Sequence, residues 1–256
     1  MKKLLLLTTA FVALGLTPAF AQFGSRGGAQ GPRFGGAINQ LFGANQAFSA
    51  GMEFQTSGRD GQTVTMPGKL SFDSGNSRFE MNLSESRGTA MPPSAVAQMK
   101  AMGMDTMISI SRPDLKLTYL LYPGLHSYAE MPQTDSSASA APADFKVETT
   151  ELGKETVDGH DCVKNQVTVT DKEGAKHAST VWNASDLKNF PVKIVTGEQG
   201  QTGTMLFKNI SFDKPAASLF DPPADYTKYD NVQTMMQAEM MKKMGGGMTG
   251  LPPPGQ

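Results

Sequence analysis

The chain has 256 residues, of which 39% are hydrophobic and 18% charged, with 23 basic against 24 acidic side chains. A formal charge of −1 leaves no basic excess for a nucleic-acid backbone or a polybasic membrane patch, so neither partner is expected. Cys162 is the only cysteine, which excludes an internal disulfide and leaves the fold to be held by burial.

The chain begins Met1-Lys2-Lys3, runs apolar from Leu4 to Leu16, and reaches Ala19-Phe20-Ala21 before Gln22. A basic start, a short apolar run and an Ala-x-Ala end predict a secretory signal peptide over 1–21, cut after Ala21. That run is too short for a stable span, so no transmembrane anchor is expected after cleavage and the location is periplasmic or secreted. Removing Lys2 and Lys3 leaves 21 basic against 24 acidic residues, a balance near −3. The remainder divides into a Gly-rich flexible leader (22–46), a folded domain (47–229), and a Met-rich helical tail with a Gly/Pro-rich end (230–256). Within the leader, Ala37–Phe42 is a candidate helical turn.

In the domain, Phe48, Ala50, Met52 and Phe54 alternate with Ser49, Gly51, Glu53 and Gln55, which predicts a strand. A hairpin follows. In its first arm Val64, Met66, Leu70 and Phe72 share one parity; in its second, Phe79, Met81 and Leu83 alternate with Arg78, Glu80 and Asn82. Ser74-Gly75-Asn76-Ser77 supplies the turn. Pro92–Met104 has proline early, helix formers in the middle and Gly103 at its end, which predicts one short helix. Ala95, Val96, Met99 and Met102 would form its apolar stripe.

Strand character resumes at Thr106–Ser111, Leu115–Tyr122 and Ser127–Met131. A Ser/Ala/Pro-rich loop, Gln133–Asp144, separates a second set: Phe145–Val157, Cys162–Thr170, Lys176–Trp182, Pro191–Thr196 and Thr202–Phe212. Short turns join these neighbours, so they are expected to be antiparallel. Asn231–Met244 reads as a helix with Val232, Met236, Met240 and Met244 spaced four apart.

Several stretches invite chemistry. His160-Asp161-Cys162 follows an Asp-Gly turn without metal-ligand spacing or an orienting third group, so it reads as turn and strand. Cys162 lies opposite Val163 and Val167 in parity, which predicts a partly exposed thiol open to intermolecular crosslinking. His126 and His177 are isolated and read as structural. Met235, Met236, Met240, Met241, Met244 and Met248 offer soft sulfurs suited to Cu(I), but no histidine or cysteine accompanies them, and a poorly ordered or partner-binding tail accounts for them better. No nucleophile elbow, phosphate loop or paired carboxylates are found. No catalytic residue, metal site or cofactor is expected.

The order of pieces carries a resemblance. Gly68-Lys-Leu-Ser-Phe72 with Arg78-Phe-Glu80 precedes a Pro/Ala/Met helix, then Ile108-Ser-Ile-Ser-Arg-Pro-Asp114, Tyr122-Pro-Gly124 and Val157-Asp-Gly-His-Asp-Cys162. Val181-Trp-Asn-Ala-Ser-Asp-Leu-Lys-Asn-Phe-Pro-Val-Lys-Ile194 and Leu219-Phe-Asp-Pro-Pro-Ala-Asp-Tyr226 close the set. Over roughly 47–229 this resembles a domain-of-unknown-function family, DUF4412-like, related to the LolA/LolB-like carriers and receptors of lipoproteins. The resemblance implies an α+β fold: a strongly curved, incompletely closed antiparallel β-sheet of about eleven strands. A few short helices would cover the concave face of this half-barrel.

The expected inward set is Met52, Phe54, Val64, Met66, Leu70, Phe79, Met81, Ile108, Ile110, Tyr119 and Leu121, with Val96 and Met99 from the helix. Two readings stay open. The face is filled by the Pro93–Met102 helix, giving a module that engages an envelope protein, or it bounds an apolar cavity for a lipid or acyl chain. Methionine suits either, because its flexible side chain fills irregular cores and adaptable binding surfaces alike. The polar arm with Lys69, Arg78 and Glu80 is expected to face water.

Overall fold

The computed structural model describes residues 36–57, 63–88, 92–133, 145–198 and 201–245, all within the compact unit Pro32–Gln256. The signal peptide, most of the leader, the turn at Arg59-Asp60-Gly61, nearly all of the Gln133–Asp144 loop and the Gly/Pro-rich end lie outside these residues.

The first strands follow the alternation of their sequences. β1 (Ala47–Ser57) buries Phe48, Ala50, Met52 and Phe54 and leaves the intervening residues half-buried. β2 (Thr63–Asp73) and β3 (Asn76–Asn82) turn through Ser74 and Gly75, both at positive φ (51° and 94°). Such a two-residue loop fixes the register of the hairpin. Gly68 is required by space: a Cβ there would come within 2.6 Å of the Phe79 ring and 2.7 Å of the Glu80 carbonyl oxygen.

α1 (Gly36–Gln40) precedes β1, and α2 (Pro93–Ala101) follows β3. Then come β4 (Thr106–Arg112), β5 (Leu117–Tyr122), β6 (Ser127–Pro132), β7 (Lys146–Val157), β8 (His160–Thr170), β9 (Lys176–Ala184), β10 (Phe190–Glu198) and β11 (Gln201–Ser211). β12 (Thr227–Tyr229) and α3 (Val232–Gly245) close the described chain. All twelve strands form one unclosed, curved sheet in the order β12-β6-β5-β4-β3-β2-β1-β11-β10-β9-β8-β7. The half-barrel and its α+β class agree with expectation. β12 is additional, and it runs parallel to β6 rather than antiparallel. It arrives after a long excursion across the sheet, not through a hairpin.

Curvature is visible in one aromatic cluster. β2 and β10 stand three strand spacings apart, about 14 Å in a flat sheet. Yet the Phe42 ring lies 5.3 Å from Phe72 on β2 and 5.9 Å from Phe190 on β10. The sheet therefore curls toward the face that carries these rings, which is its inner face. Leu41 and Phe42, expected in a flexible leader, are 8% and 1% exposed and belong to this core. The helix expected to fill the sheet does not: α2 buries no residue, and Ala95, Val96, Met99 and Met102 are only half-buried.

β3 pairs with β4 so that Arg78 opposes Ile110 and Glu80 opposes Ile108, while Phe79 opposes Ser109. Ile108, Ile110, Tyr119 and Leu121 therefore point outward, away from Phe79 and Met81. They form a separate outer core closed by Phe220, which is 2% exposed. Phe220 ends a short 3-10 turn, Ala217–Phe220, within a strap that crosses the outer face. Arg78 Nη1 donates to the Leu219 carbonyl (3.4 Å) and Arg112 Nη1 to the Phe220 carbonyl (3.3 Å). Arg112 also pairs with Asp114 (2.8 Å) and Asp221. Arg78 is thus an outer-face anchor with a 17% exposed side chain rather than a solvated surface group.

After the strap the chain pairs β12 on β6 and crosses to the inner face, where α3 packs on β6. The chain after β11 clasps β4–β6 from both sides.

Candidate binding face

Ladder registers give the inner face in rows. One runs Phe48, Phe72, Ser77, Ser111, Thr118, Met131 from β1 to β6; the next runs Ala50, Leu70, Phe79, Ser109, Leu120, Ala129. From β1 to β6, every side chain directed inward by these registers is uncharged.

The face has two halves. Over β1, β2 and β8–β11 it is packed with aromatic rings: Phe48 lies 4.8 Å from both Phe42 and Phe190, and Phe207 lies 5.7 Å from Phe190. Of the expected site residues, Met52, Phe54, Met66, Leu70, Phe79 and Met81 all belong to this core and are at most 9% exposed, with half-buried Val64 packed beside them. Ile108, Ile110, Tyr119 and Leu121 are on the other face. Val96 and Met99 join none of the described core clusters. The expected set is therefore divided between three places.

Over β4–β6 the inner face is different. The buried apolar side chains are Tyr122, Ala129 and Met235, beside the buried polar Ser111, Ser127 and Glu239, and around them Met104, Met107, Leu120, Leu125 and Met236 stay half-exposed. The signal for this half was present in Leu117-Thr-Tyr-Leu-Leu-Tyr122, where both parities carry large apolar groups, as in a strand covered on both faces. α3 covers this half and α2 flanks it. α2 lies against the 3-10 turn Leu83–Glu85. Its end meets the turn after β5 backbone to backbone, since a Cβ on Gly103 would stand 2.5 Å from the Gly124 carbonyl oxygen. α3 contributes Met235, fully buried, and Glu239, 7% exposed. Of the predicted stripe, Val232 and Met236 pack at the edge of this cluster while Met240 is 43% exposed, so the stripe is not the buried face as a whole.

Glu239 is the buried charge of this region. Its Oε1 accepts from Ser127 Oγ (2.9 Å), Tyr229 OH (2.7 Å) and Lys242 Nζ (2.6 Å). Burial alone would push its carboxyl up, but these donors outweigh burial and hold it below the usual carboxylate range. Lys243 Nζ donates to the Met102 carbonyl (2.6 Å), a direct link from α3 to the end of α2.

His160 and Cys162 form no catalytic pair. His160 Nδ1 is engaged by Asp186 (2.8 Å), and the Cys162 thiol donates to the His160 carbonyl. Cys162 is 2% exposed rather than partly exposed, because it packs with Val157, Ala184 and Phe190 in the inner core. Burial pushes its thiol up, away from the reactive thiolate. Among the described residues no group of three or more His, Cys, Asp or Glu side chains could hold a metal. Met248 lies outside the described residues.

A family profile described as "Domain of unknown function (DUF4412)" matches residues 48–190, more than half of the chain. The chain belongs to that family. No curated protein matches it. Among solved structures, a LolA-superfamily protein from Nitrosomonas europaea is similar at 8% identity and a TM-score of 0.38, covering 72% of this chain and 93% of that one. Lipoprotein LppX from Mycobacterium tuberculosis is similar at 12% identity and a TM-score of 0.39, covering 68% and 92%. LprF from Mycobacterium bovis is similar at 12% and 0.39, covering 74% and 95%. No helix among the described residues is long and apolar enough to cross a membrane.

Proposed function

We propose that this DUF4412 protein is exported and binds the apolar portion of a lipid-like ligand on the inner face of β4–β6, beneath α3 and beside α2, without converting it chemically. The observation that carries the reading is the contrast within one face. The Phe-rich half is closed by its own side chains, whereas Met104, Met107, Leu120 and Met236 remain half-exposed beside α3, and α2, which buries nothing, ends next to them. Flexible thioethers can reshape around a guest at low cost. Burial of an alkyl chain there contributes ~0.8 kcal/mol per CH₂. Entry would proceed by displacement of α2, which has little packing to lose. The export signal at 1–21 supports a location outside the cytoplasm.

Protein purified from its native envelope fraction, then extracted with organic solvent and examined by mass spectrometry, is expected to release a co-purifying lipid. An environment-sensitive dye should bind the emptied protein and be displaced by that extract. Clean protein with no dye site on the inner face would overturn the reading.

A further inference from the structure

The chemistry of the inner face narrows the ligand, and the narrowing rests on the binding reading above. Four observations converge. The inward positions from β1 to β6 hold no charged side chain, so nothing in those rows can balance an ionised headgroup drawn inside. The same rows do hold hydroxyls, at Ser77, Ser109, Ser111 and Thr118.

One buried acceptor nearby lacks a donor. Gln133 Nε2 donates toward Ser111 Oγ (2.9 Å) and Thr118 Oγ1 (3.0 Å), yet its own Oε1 is buried without a hydrogen-bond partner. On the α3 side, Glu239 presents a carboxylate whose Oε1 already holds three donors. The two lysines at the end of α3 already have partners. Lys242 is held by Glu239 and Tyr229, and Lys243 by the Met102 carbonyl.

A buried acceptor without a donor, as Gln133 Oε1 is, is completed by a guest that brings an O–H group. A carboxylate or phosphate brings further acceptors and a negative charge toward Glu239. We infer that the chain selects uncharged, hydroxyl-bearing amphiphiles over fatty acids and anionic phospholipids. The apolar tail occupies the methionine-lined half, and the hydroxyl head reaches the Ser/Thr/Gln133 row or Glu239.

The test is a charge series at constant chain on delipidated full-length protein, with 1-monooleoylglycerol, oleate, oleoyl-lysophosphatidylglycerol and oleylamine as dye-displacing probes at neutral pH. The glyceride is expected to bind at least tenfold tighter than either anion, and the amine, whose N–H donors and positive charge suit Gln133 Oε1 and Glu239, also binds ahead of both anions. Binding of the glyceride and both anions within twofold, or binding of either anion ahead of the glyceride or the amine, overturns the selectivity while leaving the binding reading intact. Binding of none overturns both. Glu239→Gln adds a second arm: it is expected to retain the glyceride and to shrink the discrimination against oleate at least threefold. Unchanged discrimination in a folded variant removes Glu239 from the argument, and unchanged discrimination in Gln133→Leu as well overturns the assignment of the head site. The wild-type series stands whether or not either variant folds.

Discussion

The two halves of the inner face are built from the same strand alternation but finished differently. Around β1, β2, β10 and β11, Phe42, Phe48, Phe72, Phe190 and Phe207 interlock with ring centroids 4.8 to 5.9 Å apart. Stiff rings with two side-chain torsions define a unique packing and leave no cheap way to admit a guest. Around β4–β6 the same position in the fold is taken by methionines, hydroxyls and a helix held through Met235 and Glu239. One half supplies stability and the other supplies adaptability.

The sharpest way to break this contrast is at Phe42. Phe42→Ala removes the ring that joins β2 to β10 across the curve and is expected to cost about 3–5 kcal/mol, read as a lower denaturant midpoint at unchanged slope. A cost below ~1 kcal/mol would mean the Phe-rich half is not the stabilising one. On the outer face, Phe220→Ala opens the pocket formed by Ile108, Ile110, Tyr119 and Leu121 and should cost about 3 kcal/mol. Its particular sign is proteolysis within 213–226, while the Phe42 cluster stays intact. Met235→Ala loosens α3 for about 2 kcal/mol. Dye binding should rise severalfold with it, because α3 lies over the methionine-lined half. Equal dye binding in Phe42→Ala and Met235→Ala variants would erase the distinction between the halves.

Legibility in the sequence followed the same division. Parity within a strand was readable wherever the pattern alternated: Phe48–Phe54, Val64–Phe72 and Phe79–Met81 all lie on the inner face as expected. Between β3 and β4 that logic stopped. A two-residue turn fixes register, but the α2 insertion does not, and a change of one residue exchanges faces. Ile108, Ile110, Tyr119 and Leu121 were grouped correctly with one another and assigned to the wrong side. Leu41 and Phe42 were hidden by their Gly-rich neighbours. In α3, spacing by fours drifts around a 3.6-residue helix, and the buried partner of Met235 is a glutamate, which no hydrophobic pattern can mark. The binding half was the least legible part because its floor mixes Ser, Thr and Met, and its covers are half-buried.

The smallest expected effect is the most specific. Glu239 is held below its ordinary pKa by Ser127, Tyr229 and Lys242 in the folded state. A depressed carboxyl contributes stability that is fully present above its unfolded pKa, about 4.3, and is lost as pH falls through the lower folded value. Docking of α3 should therefore be insensitive to pH from neutrality to about 5 and weaken only below that range. Glu239→Gln keeps the shape and one acceptor oxygen but removes the charge, and is expected to cost about 1 kcal/mol at neutral pH. Because that variant has no proton to gain at this position, its deficit against the wild type should shrink as pH drops below about 4. Hydrogen exchange of α3 amides reads this locally, with β10 and β11 as the internal reference. A deficit that grows on acidification would mean that the carboxylate is not what fastens the helix over the adaptable half.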